Sequence, residues 1–141
     1  MTMRFLLPLL AVCGLTLFAA DSLNLVQPAD LSKDLTSPLI IHVGFNVLYR
    51  SSRLPGSVYA GPASKPEGIE DLKRAVAGQP KDRQIVLYCG CCPWDKCPNI
   101  RPAFALLHEL GFKNVKALEI PENLKTDWID KGYPTEKRPL N

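Results

Sequence analysis

Three compact apolar runs constrain the fold of this chain most: Leu39-Ile40-Ile41-His42-Val43, Ile85-Val86-Leu87-Tyr88 and Val115 to Leu118. Their shortness and β-branched content predict buried strands. Between them, apolar residues return at helical spacing. Ile69, Leu72 and Val76 mark one helix, stopped by Gly78 and Pro80. Phe104, Leu107 and Leu110 mark another, stopped by Gly111. Pro28-Ala29-Asp30-Leu31 reads as a short early helix, and Leu124, Trp128 and Ile129 mark a last one, ended by Gly132 with Pro134 beyond. Arg50 to Pro66 is rich in Ser, Gly and Pro and reads mostly as loop. Strands alternating with helices predict an α/β fold with a mostly parallel central sheet flanked by helices. In such sheets, sites form where strands end and helices begin.

The chain has 141 residues, room for one domain of ordinary size. Hydrophobic residues make up 46% and charged residues 22%, which excludes wholesale disorder. The net charge of +3 is small and the Lys and Arg residues are scattered, so nucleic acid is not an expected partner. Residues 1–20 have the layout of a signal peptide: a basic start at Arg4, then an uncharged apolar stretch from Phe5 to Ala20. The expected division is a signal peptide over 1–20 and one domain over 21–141, exported and periplasmic, with no membrane contact after cleavage. A retained anchor, or lipoprotein processing at Cys13, is the less favoured alternative.

Beyond residue 20, the cysteines are Cys89, Cys91, Cys92 and Cys97, all within one short segment that follows the second strand. Cys89 closes the strand, and the next helix is expected to start between Asn99 and Pro102, with Asn99 as its capping residue. A thiol near a helix start is acidified by unpaired N–H groups, helped here by Lys96 or Arg101. Cys89 is therefore the candidate nucleophile, against the plainer reading of a buried small hydrophobe. Cys91, Cys92 and Cys97 leave several readings open. Cys92–Cys97 or Cys91–Cys97 would clip the loop as a disulfide, and Cys91 or Cys92 would resolve an oxidised or persulfidated Cys89. The spacing C-x-C-C-x4-C is not a standard zinc pattern and has no His nearby, so no cofactor is expected; a thiolate-bound soft ion, Cu(I) or Zn(II), is the remaining metal candidate. Trp94 covers the thiol, meets a partner or merely plugs the loop, while Asp95 and Lys96 read as solvated charges. Tyr49, Arg50 and Arg53 belong to a loop able to approach the site, which makes the two arginines candidate anion ligands or plain surface charges. His42 reads as a core or edge residue and His108 as surface.

Taken in order, these pieces resemble a rhodanese-like domain over roughly residues 24–137. Leu54-Pro55-Gly56-Ser57 is similar to the family's His-Ile-Pro-Gly-Ala segment, with Arg53 where His is usual. Ile85 to Cys89 is similar to its strand ending in the active cysteine, and Arg101-Pro102-Ala103 to the Arg-Ser-Ala that opens the next helix. Leu110-Gly111-Phe112-Lys113-Asn114-Val115, and Trp128 with Gly132-Tyr133-Pro134, are similar to its C-terminal signature. The resemblance implies a sulfurtransferase or persulfide carrier, with Cys89 taking sulfane sulfur from a small anion such as thiosulfate and passing it to a thiol or an acceptor protein. Backbone N–H groups of the loop around Gly90, Cys91 and Cys92 would cradle the sulfur, and Arg101 and Arg53 would bind the anion. Two other functions stand beside this one: a thiol–disulfide or oxyanion reductase with a resolving loop cysteine, and a non-catalytic binding module held by disulfides or a metal. The chain departs from the family pattern in its longer loop, with Arg101 twelve residues after Cys89 rather than about five. Pro93, Pro98 and Pro102 also remove backbone donors, Gly44 replaces an Asp, and Glu119-Ile120-Pro121 replaces a Gly-Gly.

Overall fold

The computed structural model describes residues 23–137; the expected signal peptide and Cys13 lie outside them. The sheet has five strands: β1 (Leu25–Val26), β2 (Leu39–His42), β3 (Val58–Tyr59), β4 (Ile85–Tyr88) and β5 (Val115–Leu118). Their order is β1-β5-β4-β2-β3, and every pairing is parallel. The α-helices are α1 (Pro28–Leu31), α2 (Asn46–Ser51), α3 (Pro66–Ala75) and α4 (Ile100–Glu109). A 3-10 turn at Trp94–Lys96 lies in the cysteine loop, and a π-helical turn at Lys125–Ile129 stands where the last helix is expected. No described helix is long and apolar enough to cross a membrane.

A parallel sheet needs cover on both faces, and the central strand shows how that is met. All four residues of β4 are buried, and their side chains alternate between two cores. Ile85 and Leu87 join Ile41, Leu72, Ile100 and Leu107 beneath α3 and α4. Val86 and Tyr88 join Ile40, Leu54, Leu118 and Trp128 on the other face. The alternation continues past the strand, so Cys89 falls on the α4 side.

The segment from Arg50 to Pro66 holds more regular structure than its composition predicts. It contains the end of α2 and the two-residue β3, which pairs with β2 as Ile41↔Val58 and His42↔Tyr59. The tie that orders it comes from the far face of β4. The Tyr88 hydroxyl accepts the Leu54 N–H at 3.2 Å and lies 3.0 Å from Ser57 Oγ. Burial pushes that phenol up to about 12, so it stays neutral and keeps both bonds. At the C-terminal end, Trp128 is fully buried and its Nε1–H donates to the Pro134 carbonyl at 2.8 Å.

Candidate active site

β2 and β4 are neighbours in register, His42 beside Tyr88, so the residues just beyond them meet at one edge of the sheet. Gly44 follows β2 and Cys89 follows β4. A Cβ at Gly44 would stand 2.5 Å from Cys89 Sγ, so only glycine leaves that sulfur its position. Beyond Cys89 the chain turns sharply at Gly90, whose φ of +86° favours a residue without a Cβ. The turn is tied down by Leu124, whose N–H donates to the Gly90 carbonyl at 3.0 Å, and by Trp94, whose N–H donates to Ile120 O at 2.9 Å.

That path folds the four cysteines into one group. Cys89 Sγ is 3.3 Å from Cys91 Sγ, which is 3.0 Å from Cys92 Sγ. The sulfurs of Cys89, Cys91 and Cys97 all lie within 4.8 Å of one another. All four are free thiols, so the expected loop-clipping disulfide is not present among the described residues. Cys89 and Cys97 are buried and Cys91 is exposed.

The sequence places the acidified thiol at Cys89; the structure moves that role to Cys97. Cys97 lies two residues before Asn99, the capping position of α4. The neighbouring Cys89 thiol, and then the backbone N–H groups of Asn99 and Ile100, favour its thiolate and bring it down to about 6. Cys89 is pushed up, chiefly by Cys97 beside it and then by its burial. Burial likewise raises Cys92, to about 12.

Asn99 occupies the capping position of α4, as expected, but its side chain makes no capping bond. It is fully buried and turned inward. Its Nδ2–H donates to Cys89 Sγ at 3.5 Å, while its Oδ1 accepts the Ser64 N–H at 2.9 Å. The Oδ1 that would cap α4 is taken by the Ser64 N–H, which leaves Nδ2 facing the buried sulfur.

None of the three candidate anion-binding arginines lines the cavity beside the thiols, and Arg50 is exposed in α2. Arg101 is exposed on the first turn of α4. Arg53 pairs with Glu136 at 3.5 Å, exchanges backbone hydrogen bonds with it and lies over the Tyr49 ring at 5.0 Å. The opening beside the thiols is a cavity of about 330 Å³ lined by Gly90, Cys91, Ser51, Ser52 and Lys125, with apolar walls from Leu48, Leu124 and Ile129. Ser51, Ser52 and Lys125 carry no sequence signal as site residues. They reach the cavity only because α2 packs there and because Leu124 bonds to Gly90. Trp94 is half-buried, and His108 is exposed as expected. His42 is fully buried, its Nδ1 accepting the Gly44 N–H at 3.3 Å.

A parallel five-stranded α/β domain with a thiol group at the carboxyl end of its central strand defines the class. The fold is that of rhodanese. It superposes on a rhodanese-like domain from Anabaena with a TM-score of 0.58 and 24% identity, over 80% of this chain and 78% of that one. A rhodanese-related protein from Thermoplasma volcanium gives 0.59 and 17% identity, over 82% and 99%. A single-domain sulfurtransferase from Saccharomyces cerevisiae gives 0.55 and 19%, over 82% and 95%. No protein-family model and no curated protein sequence matches this chain.

Proposed function

We propose that this chain is a sulfurtransferase or persulfide carrier that holds sulfane sulfur on Cys89 and passes it outward through Cys91. One observation carries the reading. The Cys89 sulfur lies at the end of the central strand, 3.3 Å from a second thiol that is exposed and lines the cavity. The fold supports it, since similar folds include a sulfurtransferase from yeast.

The chemistry follows from the arrangement. Cys89 and Cys97 share one proton, and Cys89 attacks the outer sulfur of a donor such as thiosulfate when that proton rests on Cys97. A new S–S bond forms at Cys89, the donor's S–S bond breaks, and sulfite leaves with the electron pair. Cys91 then takes the outer sulfur and its thiol proton passes to Cys89. The persulfide now sits on an exposed residue, within reach of an external thiol or an acceptor protein. Lys125 lines the cavity with its Nζ 2.9 Å from both carboxylate oxygens of Asp130, and it serves the anionic donor by exchanging that exposed partner for it. The signal-peptide pattern of residues 1–20 supports an exported setting for this exchange.

The test is mass spectrometry of the reduced protein after exposure to thiosulfate. Cys89→Ser is expected to abolish the gain of sulfur while leaving the circular dichroism spectrum unchanged. Undiminished loading in that variant would remove Cys89 from the mechanism.

A further inference from the structure

Three sulfurs within 4.8 Å of one another are also a complete donor set for a three-coordinate metal. A three-coordinate metal with metal–sulfur bonds of about 2.3 Å would hold its ligands roughly 4 Å apart. The sulfurs stand close to that spacing already, Cys89 and Cys91 being 3.3 Å apart and all three pairs lying within 4.8 Å. We propose that Cys89, Cys91 and Cys97 form a trigonal thiolate site for a soft monovalent ion, Cu(I), in which the three sulfurs replace their thiol protons with one metal.

The donor set chooses the ion. Among the described residues no imidazole or carboxylate joins the group, which disfavours hard cations. Zinc in structural sites takes four ligands in a tetrahedron. Cys92 is the only other thiol of the loop, and although its sulfur touches Cys91 at 3.0 Å, it stands outside the mutually close set. Three sulfurs without a fourth suit Cu(I), which accepts trigonal thiolate coordination.

The surroundings are those of a supported site rather than a chance cluster. Asn99 Nδ2 donates to Cys89 Sγ and is itself fixed through Ser64, so one ligand sulfur has an oriented neighbour of the kind that tunes metal thiolates. Cys97 lies just before the first turn of α4, a ten-residue helix whose unpaired N–H groups offset negative charge gathered there. Gly44 clears the space beside Cys89. Two sulfurs are buried while Cys91 is exposed, which gives the ion a way in from solvent.

This inference goes beyond the sulfur-transfer reading and competes with it for Cys89: one sulfur cannot hold both a persulfide and the metal. The experiment is anaerobic titration of the reduced protein with Cu(I), followed by desalting in the presence of a competing Cu(I) chelator. One copper per chain is expected, with a thiolate-to-copper ultraviolet band. Cys97→Ser and, separately, the exposed Cys91→Ser are expected to weaken retention at least tenfold, with the fold checked by circular dichroism. Cys92→Ser should retain the ion, and Asn99→Ala should weaken binding roughly tenfold as an outer-shell change. Loss of all copper to the chelator would overturn the proposal, as would equal retention by a folded Cys91→Ser variant or equal affinity for Zn(II). Sulfur loading of the metal-free protein is read separately by mass, so the two readings fail independently; copper-loaded protein is expected to take up no sulfur.

Discussion

Cys97, two residues before the capping position of α4, is the thiol brought lowest, to about 6. Proximity to a helix start acidifies a thiol, and the chain path gives that benefit to Cys97 rather than to Cys89 at the strand end. The reduced, metal-free protein is therefore expected to show a thiolate ultraviolet band that titrates near pH 6 and is missing from Cys97→Ser. A band that survives in that variant would return the thiolate to another cysteine. Gly44 makes the complementary point. Nothing in the sequence ties it to Cys89, because the contact exists only where β2 and β4 lie side by side. Gly44→Ala would drive a Cβ to 2.5 Å from the Cys89 sulfur. It is expected to cost about 1–3 kcal/mol of stability, seen in denaturant unfolding, and to reduce sulfur loading, because a packed neighbour must move.

At the scale of elements, the long signals were legible and the short ones were not. Runs such as Ile85 to Tyr88 announce buried strands because parallel strands are apolar on both faces. β1 and β3 have two residues each, too few for any pattern, and exist because β5 and β2 offer them an edge. The helix α2 buries none of its residues, so it carries no apolar stripe to read. The cysteine loop was legible as chemistry but not as geometry, since the hydrogen bonds that fold it come from Leu124 and Ile120, distant in the chain. Tyr88 shows how an element on one face supports the site on the other. Tyr88→Phe would leave the Leu54 N–H without its partner. The expected loss is about 1–3 kcal/mol by chemical denaturation, with earlier proteolysis of the segment around Pro55.

For the molecule as a whole, pH acts through His42. Burial lowers it from 6.5 to about 4, while an unfolded chain would protonate it at its ordinary value. Between those limits the unfolded state binds the extra proton, so stability is full above about pH 6.5 and falls as pH drops toward 4. The full loss is about 3 kcal/mol from this one group. His42→Asn keeps an acceptor for the Gly44 N–H and removes the titration, and should flatten the curve of melting temperature against pH over this range. An unchanged slope would assign the dependence elsewhere. The same burial that makes His42 sensitive packs it edge-on against Tyr88 at 4.8 Å, on the face of the sheet opposite Cys89.

The proposed role of Cys89 as carrier of sulfane sulfur is tested most directly by intact mass of the reduced, metal-free protein with and without thiosulfate, followed by peptide mapping. The expected result is the gain of one sulfur atom, located on Cys89 or, after transfer, on Cys91, and absent from Cys89→Ser. No gain in the native-sequence protein, or a gain that persists in Cys89→Ser, would contradict it.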